Sequence, residues 1–273
     1  MKFCRFLPLP KAAGRTHAPV YGLLEPDAIR EIGGSPWGGW VEGHNIWEPT
    51  HVHLLAPCDP SKIVCVGRNY AAHAAELGNE MPKEPLIFLK PPSAIIGPDQ
   101  PVVLPRSSHR VEHEGELAVV IGKKCFHLRD EQDPLSYVLG YTCVNDVTAR
   151  DLQKSDVQFT RAKSFDTFCP VGPHIETHLD PTNALVTTHV NGQLRQSGTT
   201  SLMAYPVAFL IRWISRVMTL FPGDLIATGT PAGVGPLVNG DTVEVSVAGV
   251  GVLRNPVHGP DADLASTNLF SLK

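Results

Sequence analysis

Apolar and polar positions alternate with a period of two over much of the chain. Most apolar runs are short and end on Gly, Pro, Asn or Asp, which predicts strands and tight turns rather than long helices. Residues 2–7 read as a strand, and residues 20–24 and 28–32 flank Glu25-Pro26-Asp27 as a hairpin. The Gly-, Trp- and Pro-rich stretch 33–47 reads as loop. A compact apolar strand at 62–66 follows. Asn69 is then placed to cap a short helix at 70–77, which Gly78 ends. Short strands at 86–89 and 102–104 enclose a passage through Pro91, Pro92 and Pro98.

In the segment 112–122, Glu112, Glu114 and Glu116 share one face of a predicted strand, with Leu117, Val119 and Ile121 on the other. An apolar strand at 138–145 runs into Asp146. Strands at 186–190 and 193–197 flank Asn191-Gly192, a strong hairpin signal. Residues 206–220 place Val207, Leu210, Ile211, Ile214, Val217 and Met218 on one helical stripe behind Pro206. From Leu225 a strand leads into a glycine-rich loop at 229–235, and strands at 241–247 and 251–257 follow.

Composition narrows the picture. With 42% hydrophobic and 18% charged residues, the 273-residue chain can bury a core, which excludes a disordered or fibrous protein. Its 24 Gly and 25 Pro argue for a β-rich fold rather than a helical bundle. The composition shift at Ser61 divides the chain into a small N-terminal β subdomain, 1–58, and a main domain, 59–273. A balance of 23 Lys and Arg against 27 Asp and Glu offers no basic excess to a phosphate backbone, so no nucleic-acid partner is expected. The longest apolar stretch, 207–221, is broken by Arg212 and Arg216 and falls short of the ~20 residues that span a bilayer, so no membrane span is expected. Six cysteines without a C-x-x-C pair read as reduced, mostly buried thiols. Lys2, Arg5, Lys11 and Arg15 precede the first acid, Glu25, but Pro8, Pro10 and Pro19 and a shortage of Ser favour a strand and loop over a transit peptide; a cytoplasmic location is expected.

Glu114-x-Glu116, backed by Glu112, carries the clearest chemistry. Like charges on one strand face repel, and burying them unpaired costs several kcal/mol each, a cost that a cation removes. The ordinary alternative is a solvated outer face. Asp146, at a strand end, adds a third hard oxygen donor. Such a set suits Mg²⁺ or Mn²⁺ better than zinc. His73 and Glu76, three apart on the predicted helix, can act as a general base whose imidazole is oriented by a carboxylate; a surface ion pair is the alternative. The pairs His51 with His53 and His174 with His178 lack further ligands. The loop 229–235 lacks a nucleotide-binding ending, although its amides can cradle a carboxylate. Cys169 reads as structural.

Six motifs occur in a fixed order: Val66-Gly-Arg-Asn-Tyr-Ala-Ala-His73-x-x-Glu76, Phe88-Leu-Lys-Pro-Pro-Ser93, Glu114-Gly-Glu-Leu-Ala-Val-Val-Ile-Gly122, Gly140-Tyr-Thr-x-x-Asn-Asp146-Val-Thr-Ala-Arg-Asp151, Ala162-Lys-Ser-Phe165 and Phe221-Pro-Gly-Asp-Leu-Ile-Ala-Thr-Gly-Thr-Pro231. Together they resemble the fumarylacetoacetate hydrolase family, in its bacterial form with a short N-terminal extension. The resemblance implies a β-rich α+β fold, a mixed β-sandwich roll with a small N-terminal β subdomain. It implies one Mg²⁺ or Mn²⁺ per subunit on Glu114, Glu116 and Asp146. It also implies His73 and Glu76 on a mobile lid, Lys163 as an active-site lysine, and a homodimer. Arg150, Gln153 and Thr230 match substrate-pocket positions, and Arg68, Tyr70 and Lys90 are expected beside them. The implied substrate is a small 2-oxo or enol carboxylic or dicarboxylic acid, such as an acylpyruvate or oxaloacetate, cleaved by C–C hydrolysis or decarboxylation through an enolate. Isomerisation of the 2-hydroxyhepta-2,4-diene-1,7-dioate type, as in aromatic catabolism, or tautomerisation of oxaloacetate is the second expectation. A non-catalytic binder of metal and carboxylates is the third.

Overall fold

Strand Gly115–Ile121 is buried along its whole length, and the fold extends outward from it. In the computed structural model, which describes residues 1–9 and 18–261, this strand lies between Val138–Asn145 and Leu225–Ala227, antiparallel to both. Beyond Leu225–Ala227 come the parallel Ile63–Gly67 and the edge strand Leu86–Lys90. Beyond Val138–Asn145 come Cys169–Glu176, Lys2–Pro8, Val20–Leu24, Ile29–Ser35 and Gly39–Trp47, within a mixed sheet of 12 strands. A five-stranded sheet, which includes the hairpin Leu185–Val190 and Gln193–Thr199, packs against it. A three-stranded sheet joins Thr148–Ala149, Val111–His113 and Gly235–Pro236. The architecture is the expected β-rich α+β class.

Alternating side chains give the central sheet two apolar faces. Leu117, Val119 and Ile121 pack with Leu210, Ile211 and Ile214 of helix Val207–Val217 and with Val186, Val245 and Leu253 of the second sheet. On the other face, Ala118 and Val120 meet Cys65, Cys169, Val171 and Phe3. Phe3 pairs with Ile175 across neighbouring strands, so the leading strands continue the central sheet.

Several expectations change. The stretch 33–47 is a hairpin, Ile29–Ser35 with Gly39–Trp47, because Trp37 and Trp40 dock edge-on against Tyr21 and Phe3. Asn69 does not cap the helix, which spans Ala71–Glu76. Its side chain instead accepts from Tyr205 N and donates to the carbonyls of Tyr205 and Thr228. The segment 112–122 is interrupted at Glu114, where the chain passes from the three-stranded sheet into the central one. The long helix ends at Val217, which is exposed, while the buried Ser215 accepts from Leu128 N. Residues 10–17 of the loop expected after the first strand lie outside the described residues. Among the described residues, no helix is long and apolar enough to cross a membrane.

Candidate active site

The interruption at Glu114 shapes the site. Glu114 N donates to Asn145 Oδ1, and Asp146 N donates to Glu114 O, both at 2.9 Å, so the two chain ends are tied together where each leaves the central sheet. Two residues on, inside strand Gly115–Ile121, Glu116 points to the same place. Carboxylate oxygens of Glu114, Glu116 and Asp146 all lie within 4.8 Å of one another, and the three residues are buried. Glu112, expected on the same face, turns elsewhere and accepts from Arg110 and Arg150.

Cations surround two of the three acids. Lys163 Nζ bridges Glu114 Oε2 and Asp146 Oδ2, at 2.7 Å each. Lys90 Nζ, fully buried, donates to Asp146 Oδ1 at 2.5 Å and to Val147 O at 3.0 Å. Arg150 spans Glu112 Oε2 at 2.7 Å, Glu114 Oε1 at 2.5 Å and Gln153 Oε1 at 2.6 Å. Burial opposes ionisation of Glu114, yet Lys163 and then Arg150 outweigh it and hold its carboxyl far below the usual range. Burial likewise works against the Lys163 ammonium, but Asp146 and Glu114 keep it charged.

Glu116 differs. Its one hydrogen-bond partner among the described residues is Gly229 N, at 2.7 Å. Burial first, then the charges of Asp146 and Glu114, push its carboxyl well above the ordinary value. Gly229 has φ +98°, and a Cβ there would come within 2.7 Å of Asn69 Cβ, so the loop needs glycine to reach this carboxylate. An all-oxygen donor set with one acid short of a cation fits a hard divalent ion such as Mg²⁺ or Mn²⁺ and lacks the Cys and His that zinc prefers.

Above the acids lies a cavity of about 210 Å³. Arg68, His73, Arg150, Gln153, Lys163 and Thr230 line it, as does the acidic triad. Leu77, Asn79, Phe88, Lys154 and Phe159, which the sequence reading left out, also line it. Arg68 and Lys154 make no ion pair among the described residues. Lys90 stands behind the wall, as does Tyr70, whose buried hydroxyl has no hydrogen-bond partner among the described residues. His73 Nδ1 is 3.4 Å from Glu76 Oε2. The Glu76 carboxylate itself accepts Gly233 N with both oxygens at 3.1 Å, which ties the short helix to the glycine-rich loop. Elsewhere, His174 is buried away from the cavity and His178 meets the terminal amine.

A floor of hard acids, flanking ammonium groups and a histidine beside a carboxylate line one cavity, and the three acids form a group able to hold a metal ion. Residues 62–258 match the family described as Fumarylacetoacetate (FAA) hydrolase C-terminal, and residues 1–57 match Rv2993c-like, N-terminal. The chain belongs to the fumarylacetoacetate hydrolase family. It is 52% identical over 250 residues to Protein Rv2993c of Mycobacterium tuberculosis, an alignment covering 89% of this chain and 94% of that one. It is 44% identical over 221 residues to the human mitochondrial oxaloacetate tautomerase FAHD2A, covering 76% of this chain and 70% of the relative. The crystal structure of 5-carboxymethyl-2-hydroxymuconate delta-isomerase from Mycobacterium smegmatis superposes with a TM-score of 0.85 at 45% identity, covering 95% of this chain and all of that one.

Proposed function

We propose that the protein is a divalent-metal-dependent enzyme that moves a proton at the carbon next to the ketone of a small 2-oxo or enol dicarboxylic acid, as an isomerase or tautomerase. The observation that carries this reading is the triad of Glu114, Glu116 and Asp146 beneath a cavity that His73 also lines. A cation held by Glu114, Glu116 and Asp146 would supply Lewis acidity that stabilises negative charge developing at the carbon next to the ketone of such an acid.

The chain's own groups supply the rest. Lys163 and Arg150 hold Glu114 ionised and leave the cavity floor fixed in position. His73 donates from Nδ1 to Glu76, which leaves Nε2 as the atom that takes or returns the proton. Glu76 is engaged by Gly233 as well, so its role is to hold the imidazole in place. Arg68 and Lys154, without acidic partners among the described residues, suit a second carboxylate at the far end of the substrate. Phe88 and Phe159 pack edge to face on the wall and limit water entry.

Hydrolytic cleavage of an acylpyruvate or decarboxylation of oxaloacetate is the second reading, favoured by the His73–Glu76 pair, which can equally activate water. Purified protein with Mg²⁺ or Mn²⁺ is to be assayed on oxaloacetate, for enol–keto exchange and CO₂ release, on acylpyruvates, and on a hydroxymuconate-type diene acid. Exchange or isomerisation well above cleavage is expected. Dominant cleavage reverses the order of the two readings, and metal-dependent binding without turnover leaves the non-catalytic role. A cytoplasmic homodimer completes the proposal; sedimentation tests its stoichiometry.

A further inference from the structure

One fully buried polar side chain joins the second sheet to the site without lining the cavity or contributing to the triad. Gln196, on strand Gln193–Thr199, is 0% exposed. Its Nε2 donates to Thr230 Oγ1 and Pro231 O, both at 2.7 Å. Its Oε1 accepts from Gly115 N at 3.0 Å and from His113 Nδ1 at 3.1 Å. Both amide hydrogens and both oxygen lone pairs are therefore used, which fixes the way the amide points. Thr230 Oγ1 in turn donates to Gly115 O at 2.8 Å, closing a ring through Gln196, Thr230 and Gly115.

Thr188, paired with Gln196 across the hairpin, acts on the same spot. A Cβ at Gly115 would come within 2.1 Å of its hydroxyl oxygen. The cross-strand pair thus grips the residue between Glu114 and Glu116, and Gln196 also grips Thr230 on the cavity wall.

We infer that Gln196 is the positioning residue of the acidic triad, setting the separation of the Glu114 and Glu116 carboxylates and the place of Thr230 through hydrogen bonds to Gly115, Thr230 and Pro231. The inference rests on the metal-binding part of the function proposed above. Residues that orient metal ligands from behind typically control affinity by about 10–100-fold.

The test is Mn²⁺ binding to the full chain by calorimetry, with the electron paramagnetic resonance spectrum of the bound ion, for wild type, Gln196→Leu, Gln196→Glu and, as a control, the exposed Gln193→Leu. Gln196→Leu, folded by near-UV circular dichroism, is expected to bind Mn²⁺ about tenfold or more weakly with a changed spectrum. Gln193→Leu is expected to match wild type. Gln196→Glu keeps the length and the acceptor for Gly115 but loses the donors to the loop; it is expected to lose less, and it decides the matter if the leucine variant does not fold. Wild-type affinity and spectrum in either folded variant overturn the inference while leaving the metal reading intact. A wild-type protein that binds no Mn²⁺ overturns the metal reading, and this inference with it.

Discussion

Individual residues of the site show what spacing conveys and what it omits. The period of two put Glu114 and Glu116 on one face, and the strand-end position of Asp146 made it a third donor; the triad gathers all three. The same period misplaced Glu112, because a change of sheet at Glu114 leaves no trace in hydropathy. Nor did it show why Gly115 stands between two acids, since Thr188, which occupies the space beside it, lies far along the chain. Gly115→Ala is expected to lower the melting temperature and weaken Mn²⁺ binding together, as a differential scan and a titration would show. Glu114→Ala or Asp146→Ala is expected to abolish metal binding and turnover; full activity of chelator-treated Glu114→Ala protein would refute the metal-dependent chemistry. Removing a positioned acid–base group typically costs about 10²–10⁴-fold in rate. For His73→Ala we expect a loss on that scale in kcat with Mn²⁺ affinity little changed, and unchanged turnover would remove His73 from proton transfer.

At the scale of elements, local signals served well where local chemistry decides. The Asn191-Gly192 turn carries positive φ at both residues, +52° and +75°, as a two-residue hairpin connection requires. Helix Val207–Val217 buries Leu210, Ile211 and Ile214 at 0% exposure, as its stripe predicted. Leu210→Ala is expected to cost about 2–5 kcal/mol by cavity formation, measurable by urea denaturation. Where tertiary contacts decide, reading by element failed. The stretch 33–47 pairs as strands because its tryptophans find Phe3 and Tyr21, which no local rule for Gly and Pro anticipates. Asp224 of the Phe221-Pro-Gly-Asp motif is a further case. It is fully buried and accepts from Ser61, Lys62 and Phe221, so this motif residue clamps the entry to strand Ile63–Gly67.

Across the whole molecule, the ordered motifs made the family legible, while strand order stayed hidden because it depends on pairings between distant segments. The leading strand Lys2–Pro8 lies beside Cys169–Glu176 in the central sheet. At that seam His174 is buried, and neither ring nitrogen meets a hydrogen-bond partner of good geometry among the described residues. Burial first, and then the nearby Lys2 charge, lower its pKa from 6.5 to about 4. Between those values the unfolded chain takes up a proton that the folded one refuses, so stability falls as pH drops through this window. At about 1.4 kcal/mol per pH unit, the loss approaches about 3 kcal/mol. Urea midpoints at pH 7 and pH 4.5 should therefore differ more for wild type than for His174→Leu; equal differences would remove His174 as the cause.

The cavity, finally, has two parts with different freedom to change. Its floor of Glu114, Glu116, Asp146 and Lys163 is buried and cross-linked, so substitutions there meet several partners at once. Its rim is looser: Lys154 and Gln153 come from the short helix Arg150–Ser155, while Arg68, Leu77 and Asn79 flank the helix Ala71–Glu76. Divergence of substrate range can proceed at the rim while the floor stays constant. A directed search for new substrates should therefore randomise Arg68, Leu77, Asn79 and Lys154 and leave the acids alone.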